Sequence, residues 1–140
     1  MRSLIIDQQL LKPVHLEIKP CVLIFNQAGQ VLVCQDERGD WDLPSGVCTG
    51  NETLTKTLLI KVYEQTGLVI EGTRFIQTTF RKQAGLESYI ISAVYVASHV
   101  KGTLYPDPNL NYMEVEQLPT HIREVIKTYL KETFLPLRRS

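Results

Sequence analysis

The chain has 140 residues, 44% hydrophobic and 21% charged, which is the make-up of a globular protein and excludes a disordered one. At this length the expectation is a single domain over 1–140 with a full apolar core. Lys+Arg and Asp+Glu both number 15, so no global field draws the chain to a nucleic-acid polymer or an anionic membrane.

At the N-terminus no basic segment leads into a long apolar stretch, and no run anywhere reaches membrane-spanning length, so neither secretion nor insertion is expected. The segment SLIIDQQLLK, closed by Pro13, reads equally as a short strand or a helical turn. From Val14, alternation of Val14, Leu16 and Ile18 with His15, Glu17 and Lys19 predicts a half-buried strand. Pro20 marks an edge or bend, and CVLIF continues as a buried strand. Asn26 to Gly29 is a predicted hairpin turn before a strand at Val31 to Cys34. Cys21 and Cys34 sit in apolar runs as small buried side chains. With Cys48 the count is odd and shows no CxxC or His-rich spacing, which fits a reducing cytoplasm. Gln35 to Asp40 is a polar loop.

The next stretch, WDLPSGVCTGNETLTKTLLIKVYEQTGL from Trp41 to Leu68, reads as strand end, glycine-bearing loop, amphipathic helix and glycine stop. Pro44, Ser45 and Gly46 break the extended run, and Asn51 is the predicted N-cap, with Glu52 and Thr53 at the helix start. Gly67 is the predicted C-terminal stop. At steps of about 100° per residue, Leu54, Leu58, Leu59, Val62 and Tyr63 share one arc, with Thr66 at its middle and Gln65 at one margin. Lys56, Thr57, Lys61 and Glu64 share the other. Ile60 stands alone on the polar side, where it covers a loop or meets a partner.

Beyond the helix, Val69 to Arg81 is a long extended segment, Lys82 to Gly85 a turn, and SYIISAVYVA (88–97) the strongest strand signal in the chain. Ser98 to Asn111 is a predicted loop, Tyr112 to Val115 a short strand, and Thr120 to about Phe134 a helix. That helix buries Ile122, Val125, Ile126, Tyr129 and Leu130 at helical spacing. His15, His99 and His121 are scattered and read as surface side chains. Arg38, Arg74 and Arg81 are available to phosphate but also read as solvated surface, and most aromatics are explained by core packing.

The Trp41–Leu68 stretch resembles the Nudix box of the Nudix hydrolase superfamily. Gly46, Glu52, Val62, Glu64, Gly67 and Leu68 fall in register with that pattern, and WDLPSG resembles its Trp-x-Leu-Pro-Gly-Gly lead-in, with Ser45 for the first glycine. The resemblance implies an α/β/α sandwich around a mixed β-sheet. It also implies hydrolysis of pyrophosphate-containing, nucleoside diphosphate-linked substrates with Mg²⁺ held by glutamates of the helix. Mg²⁺ takes hard anionic oxygens, and the phosphate charges must be neutralised during displacement at phosphorus.

Carried over by position, the resemblance makes Glu64 and Glu52 the catalytic pair. Glu64, Gln65 and Glu87, the last an acid from outside the box, become metal donors. Gly46 and Tyr112 become substrate contacts, with Tyr105 and Trp41 as further stacking surfaces, and Lys61 and Arg38 are the cations available there to a substrate's phosphates. Four positions depart from the pattern: Thr49 for a loop Glu, Ile60 for Arg, Lys61 for Glu and Gln65 for the last Glu. Lys61 puts a cation where an anion is expected, and two like charges 4 Å apart repel by about 4 kcal/mol at an effective dielectric near 20. Alternatively Lys61 occupies the vacated metal position, pairs with Glu64 three residues on and meets phosphate as a point charge. Weak or absent Mg²⁺ chemistry is therefore expected. Three readings stay open: a hydrolase, a nucleotide-binding or regulatory module without turnover, and an interaction protein in which Ile60 marks a contact. Ile60 and the SLII segment are also the candidate surfaces for a homodimer.

Overall fold

The strand Ser88–Gly102 organises the molecule, because strands pair along both of its edges. The computed structural model describes residues 15–50, 52–83 and 87–139. In chain order the elements are β1 (His15–Ile18), β2 (Cys21–Leu23), β3 (Val31–Gln35), β4 (Trp41–Asp42) and α1 (Leu54–Thr66). They continue with β5 (Leu68–Lys82), β6 (Ser88–Gly102), β7 (Leu110–Met113), a 3₁₀ turn at Val115–Gln117 and α2 (Thr120–Arg139). Along one edge β6 takes β1 and then β2, both parallel; along the other it takes β5 antiparallel over nearly its whole length. A second sheet has the order β4-β3-β7, all antiparallel.

Alternation along the short central strands explains why two helical layers are needed. Cys21, Leu23, Val31 and Val33 bury against Ile122, Val125 and Ile126 of α2. Their neighbours Val22, Ile24 and Leu32 bury against Leu58 and Val62 of α1. Successive strand side chains point to opposite faces, so strands apolar at every position must be covered on both sides. The result is the expected α/β/α arrangement, with the mixed sheet built on β6 and the antiparallel β4-β3-β7 sheet between the helices. Each fully buried Leu or Val in it contributes roughly 1.5–3 kcal/mol.

Several sequence expectations shift at the edges of elements. Both long strands run further than predicted, to Lys82 and to Gly102, because the Leu68–Gly102 pairing carries the ladder past the predicted loop start at Ser98. His99 accordingly lies in β6 rather than in a loop. The short strand ends at Met113 rather than Val115. Helix α2 runs to Arg139, beyond Phe134, and Leu130 is 44% exposed although the spacing put it in the core. The turn at Asn26 forms as predicted: Asn26 Oδ1 accepts the Ala28 and Gln30 N–H groups, and Gly29 has φ +79°. The SLIIDQQLLK segment, Val14 and Asn51 lie outside the described residues, as does part of the predicted Lys82–Gly85 turn.

Candidate functional site

The loop before α1 and the first turns of α1 are joined by side chains that a polar-against-apolar division does not anticipate. Thr53, not Asn51, is the N-cap; its Oγ1 accepts the Lys56 N–H at 3.1 Å. The difference follows from where the helix begins, at Leu54, so that the Ser/Thr-type cap directly precedes it. Gly67 closes the helix with φ +81° and donates to the Tyr63 carbonyl at 2.9 Å, as predicted.

The buried arc of α1 is rotated from the predicted one. Thr57, placed among the polar residues, is 1% exposed, whereas Tyr63, placed in the core, is 51% exposed. The loop supplies the reason: α1 packs against it as well as against the sheet. A Cβ on Gly46 would stand 2.6 Å from Lys61 Cβ, so the lysine stem lies directly on the glycine. Gln65 Nε2 donates to the Ser45 carbonyl at 2.7 Å. Thr57 donates to Glu52 Oε2 at 2.8 Å, and Cys48 Sγ contacts the Glu52 carbonyl at 3.5 Å. Ile60 stays out of these contacts and is 41% exposed.

Along this seam runs an open cleft of about 800 Å³. The loop contributes Ser45, Gly46, Val47 and Thr49 to it, and α1 contributes Lys61, Glu64 and Gln65. The far wall carries Asp36, Asp107 and Asn109, and Lys19 and Asp42 complete one end. Lys61 Nζ stands 3.6 Å from Glu64 Oε2, the pairing anticipated from their spacing. Both side chains are about half exposed, so the pair contributes on the order of 0–1 kcal/mol after solvent screening. Asp36 Oδ1 is occupied by the backbone N–H groups of Arg38 and Asp40, and Asp107 Oδ1 by that of Asn109. Among the described residues no group of three or more His, Cys, Asp or Glu side chains is placed to hold a metal ion.

A second cluster lies at the end of the cleft. Asp42 accepts from Arg81 Nη2 at 3.1 Å and from its neighbouring Leu43 N–H at 2.8 Å, and contacts His121 Nε2 at 3.2 Å. Burial works to raise the Asp42 pKa, but the His121 hydrogen bond, the Leu43 N–H and the His121 and Arg81 charges outweigh it. The net result is a lowered pKa. These residues join β4, β5 and the start of α2 beside a smaller apolar cavity of about 130 Å³ that also takes in Cys21, Ile122 and Val125. Burial pushes the Cys21 thiol up to about 12 and the Cys34 thiol up to about 11, with nearby Asp42 adding to both.

A family model described as the NUDIX domain matches residues 16–132. The chain belongs to the Nudix family. Solved structures of similar fold agree. The MutT protein of Methanosarcina mazei is 21% identical, with 88% of this chain and 99% of that one covered at a TM-score of 0.71. The MutT Nudix hydrolase of Burkholderia pseudomallei is 17% identical, with 81% and 98% covered at 0.70. The Nudix domain of Shewanella oneidensis NrtR, solved with ADP ribose, is 19% identical, with 91% and 93% covered at 0.60. A search of curated proteins returned no match.

Of the residues that the Nudix box pointed to, the cleft takes in Gly46, Thr49, Lys61, Glu64 and Gln65. The others lie apart from it. Glu52 is tied to Thr57, and Glu87 pairs at 3.8 Å with Lys82 at the opposite end of the β5–β6 hairpin from α1. Arg38 lines a neighbouring cleft of about 420 Å³ shared with Trp41, Arg81 and Lys82. Tyr112 packs against the Leu32–Leu58–Val62 core, and burial raises its pKa. The further acids that reach this Nudix cleft are instead Asp36 and Asp107, from outside the box, and Asp42, from its WDLPSG lead-in. Sequence reasoning missed all three; for Asp107 the Pro-flanked loop before a short strand was the available signal.

Proposed function

We propose that this Nudix protein binds a small pyrophosphate-containing ligand of the nucleoside diphosphate-linked type in the cleft beside Glu64, and turns it over with magnesium slowly or not at all. One observation carries the reading: the cleft is of ligand size, yet the position next to Glu64 is held by the Lys61 ammonium at 3.6 Å. Mg²⁺ demands near-octahedral oxygen coordination, supplied by one or two carboxylates together with waters and the substrate's own phosphates. Here Glu64 is shared with Lys61, the Gln65 amide is engaged by Ser45, and Glu52 is turned to Thr57. These donors do not fit the metal set that the Nudix box implies.

ADP ribose is the first ligand to test, since the related Nudix domain of S. oneidensis NrtR was solved with it. The hydrolase reading draws its support from Asp36, Asp42 and Asp107, which add carboxylates to the cleft wall. Against it, Asp36 and Asp107 already hold backbone N–H groups of their own turns. The three free thiols accord with a reducing cytoplasm as the site of action.

The test is a panel of ADP-ribose, dinucleoside polyphosphates and nucleoside triphosphates, each with magnesium. Saturable thermal stabilisation by at least one compound is expected, since a ligand that binds only the native state raises its melting point. Turnover more than about 100-fold below the enzyme median of about 10 s⁻¹ is expected alongside it. Turnover at or above that median refutes the reading.

A further inference from the structure

The side chain next to Glu64 brings a positive charge of its own into the cleft. Lys61 is fixed at its base, because its stem lies against the bare Cα of Gly46 in the loop. Among the described residues its ammonium makes one ion pair, the exposed, weak contact with Glu64 Oε2 at 3.6 Å. Lys19 lines the same cleft from the bend before β2 and adds a second cation at the end it shares with Asp42. A diphosphate carries more charge than one carboxylate and offers several oxygens to the three ammonium protons. It therefore outcompetes Glu64 for Lys61.

We infer that Lys61 is a tethered cation standing in place of a divalent metal, so that a diphosphate ligand binds in this cleft without any free metal ion. The inference rests on the reading above that the cleft takes a pyrophosphate-containing ligand. It assigns Glu64 a role of opposite sign from the one its motif position implies. As a metal ligand, Glu64 is needed for binding. Beside a tethered ammonium, it competes for Lys61 and repels the incoming phosphates, so neutralising it strengthens binding.

The experiment is calorimetric titration of the full chain with ADP-ribose and with inorganic pyrophosphate, once in excess EDTA and once in magnesium. The expected Kd agrees within about twofold between the two buffers. Glu64→Gln is expected to bind about three- to tenfold more tightly, and Lys61→Met about tenfold or more weakly. An unchanged thermal melt in Lys61→Met separates lost binding from lost folding. Binding seen only with magnesium, abolished in Glu64→Gln, or retained in full by Lys61→Met overturns the tethered cation and leaves the ligand class standing. Failure of both probes in both buffers overturns the ligand class, and the tethered cation with it.

Discussion

Gln65 holds the Ser45 carbonyl through its amide nitrogen at 2.7 Å, a bond that glutamate at the same position has no proton to make when ionised. Restoring the family residue with Gln65→Glu therefore sets a carboxylate against a carbonyl oxygen and releases the loop from α1. The expected loss is about 0.5 kcal/mol, the lower end of the hydrogen-bond range, because Gln65 is exposed. Urea denaturation of the two proteins measures it; equal midpoints would mean that the contact contributes nothing.

Gly46→Ala is expected to cost more. The new methyl group meets the Lys61 stem, and either the loop or the helix must give way, at about 1–3 kcal/mol. Adding Lys61→Ala recovers only part of that loss, because a Cβ remains 2.6 Å from the Gly46 methyl position. A double-mutant cycle on thermal stability reads the coupling.

Thr57→Val tests why a threonine occupies a fully buried position on α1. The shape is kept, but Glu52 Oε2 loses the hydroxyl that holds it at 2.8 Å. A loss of about 1–2 kcal/mol is expected, because the charged acceptor retains access to water. In Thr57→Val made together with Glu52→Gln the two losses should not add, and full additivity would show that the pair is not coupled.

The Asp42 cluster sets an acid limit on stability. Its folded pKa lies below the ordinary value, so its contribution is fully present above the unfolded aspartate pKa near 3.9 and is lost as pH falls through the folded value. Asp42→Asn is therefore expected to be less stable than the wild type at pH 6, with the gap closing at acid pH below about 4. Paired urea melts across that range measure the gap. A difference that does not change with pH would assign the effect to shape rather than charge.

What was legible in the sequence was mostly local. Gly67, the Asn26–Gly29 turn and the register of Gly46 with Glu64 follow from spacings within one loop or one helix, where a few residues settle the geometry. The rotation of α1 was not legible. Thr57 is buried where Cys48 and Glu52 of the preceding loop meet its hydroxyl, and helical periodicity records only the face turned to the sheet. The Asp42–Arg81–His121 cluster was hidden for a related reason: its members are 39 and 79 positions apart and meet only once the two sheets and α2 have packed. Singly, His121 and Arg81 look like any surface cation. Glu87 is the outside acid that the family resemblance suggests, but linear proximity to a strand says nothing about which end of that strand approaches α1, and Glu87 pairs with Lys82 at the far end.

The three cysteines sit in unlike surroundings, which makes the molecule easy to instrument. Thiols pushed up to about 12 and about 11 at Cys21 and Cys34 hold almost no thiolate at neutral pH, and thiolate is the form that alkylating reagents attack. Cys48 is half-buried on the loop between the cleft-lining Val47 and Thr49, with its sulfur against the Glu52 carbonyl. A fluorophore attached there without any engineered residue would stand beside the cleft, so that a change in its emission on adding a nucleotide would report occupancy in wild-type protein.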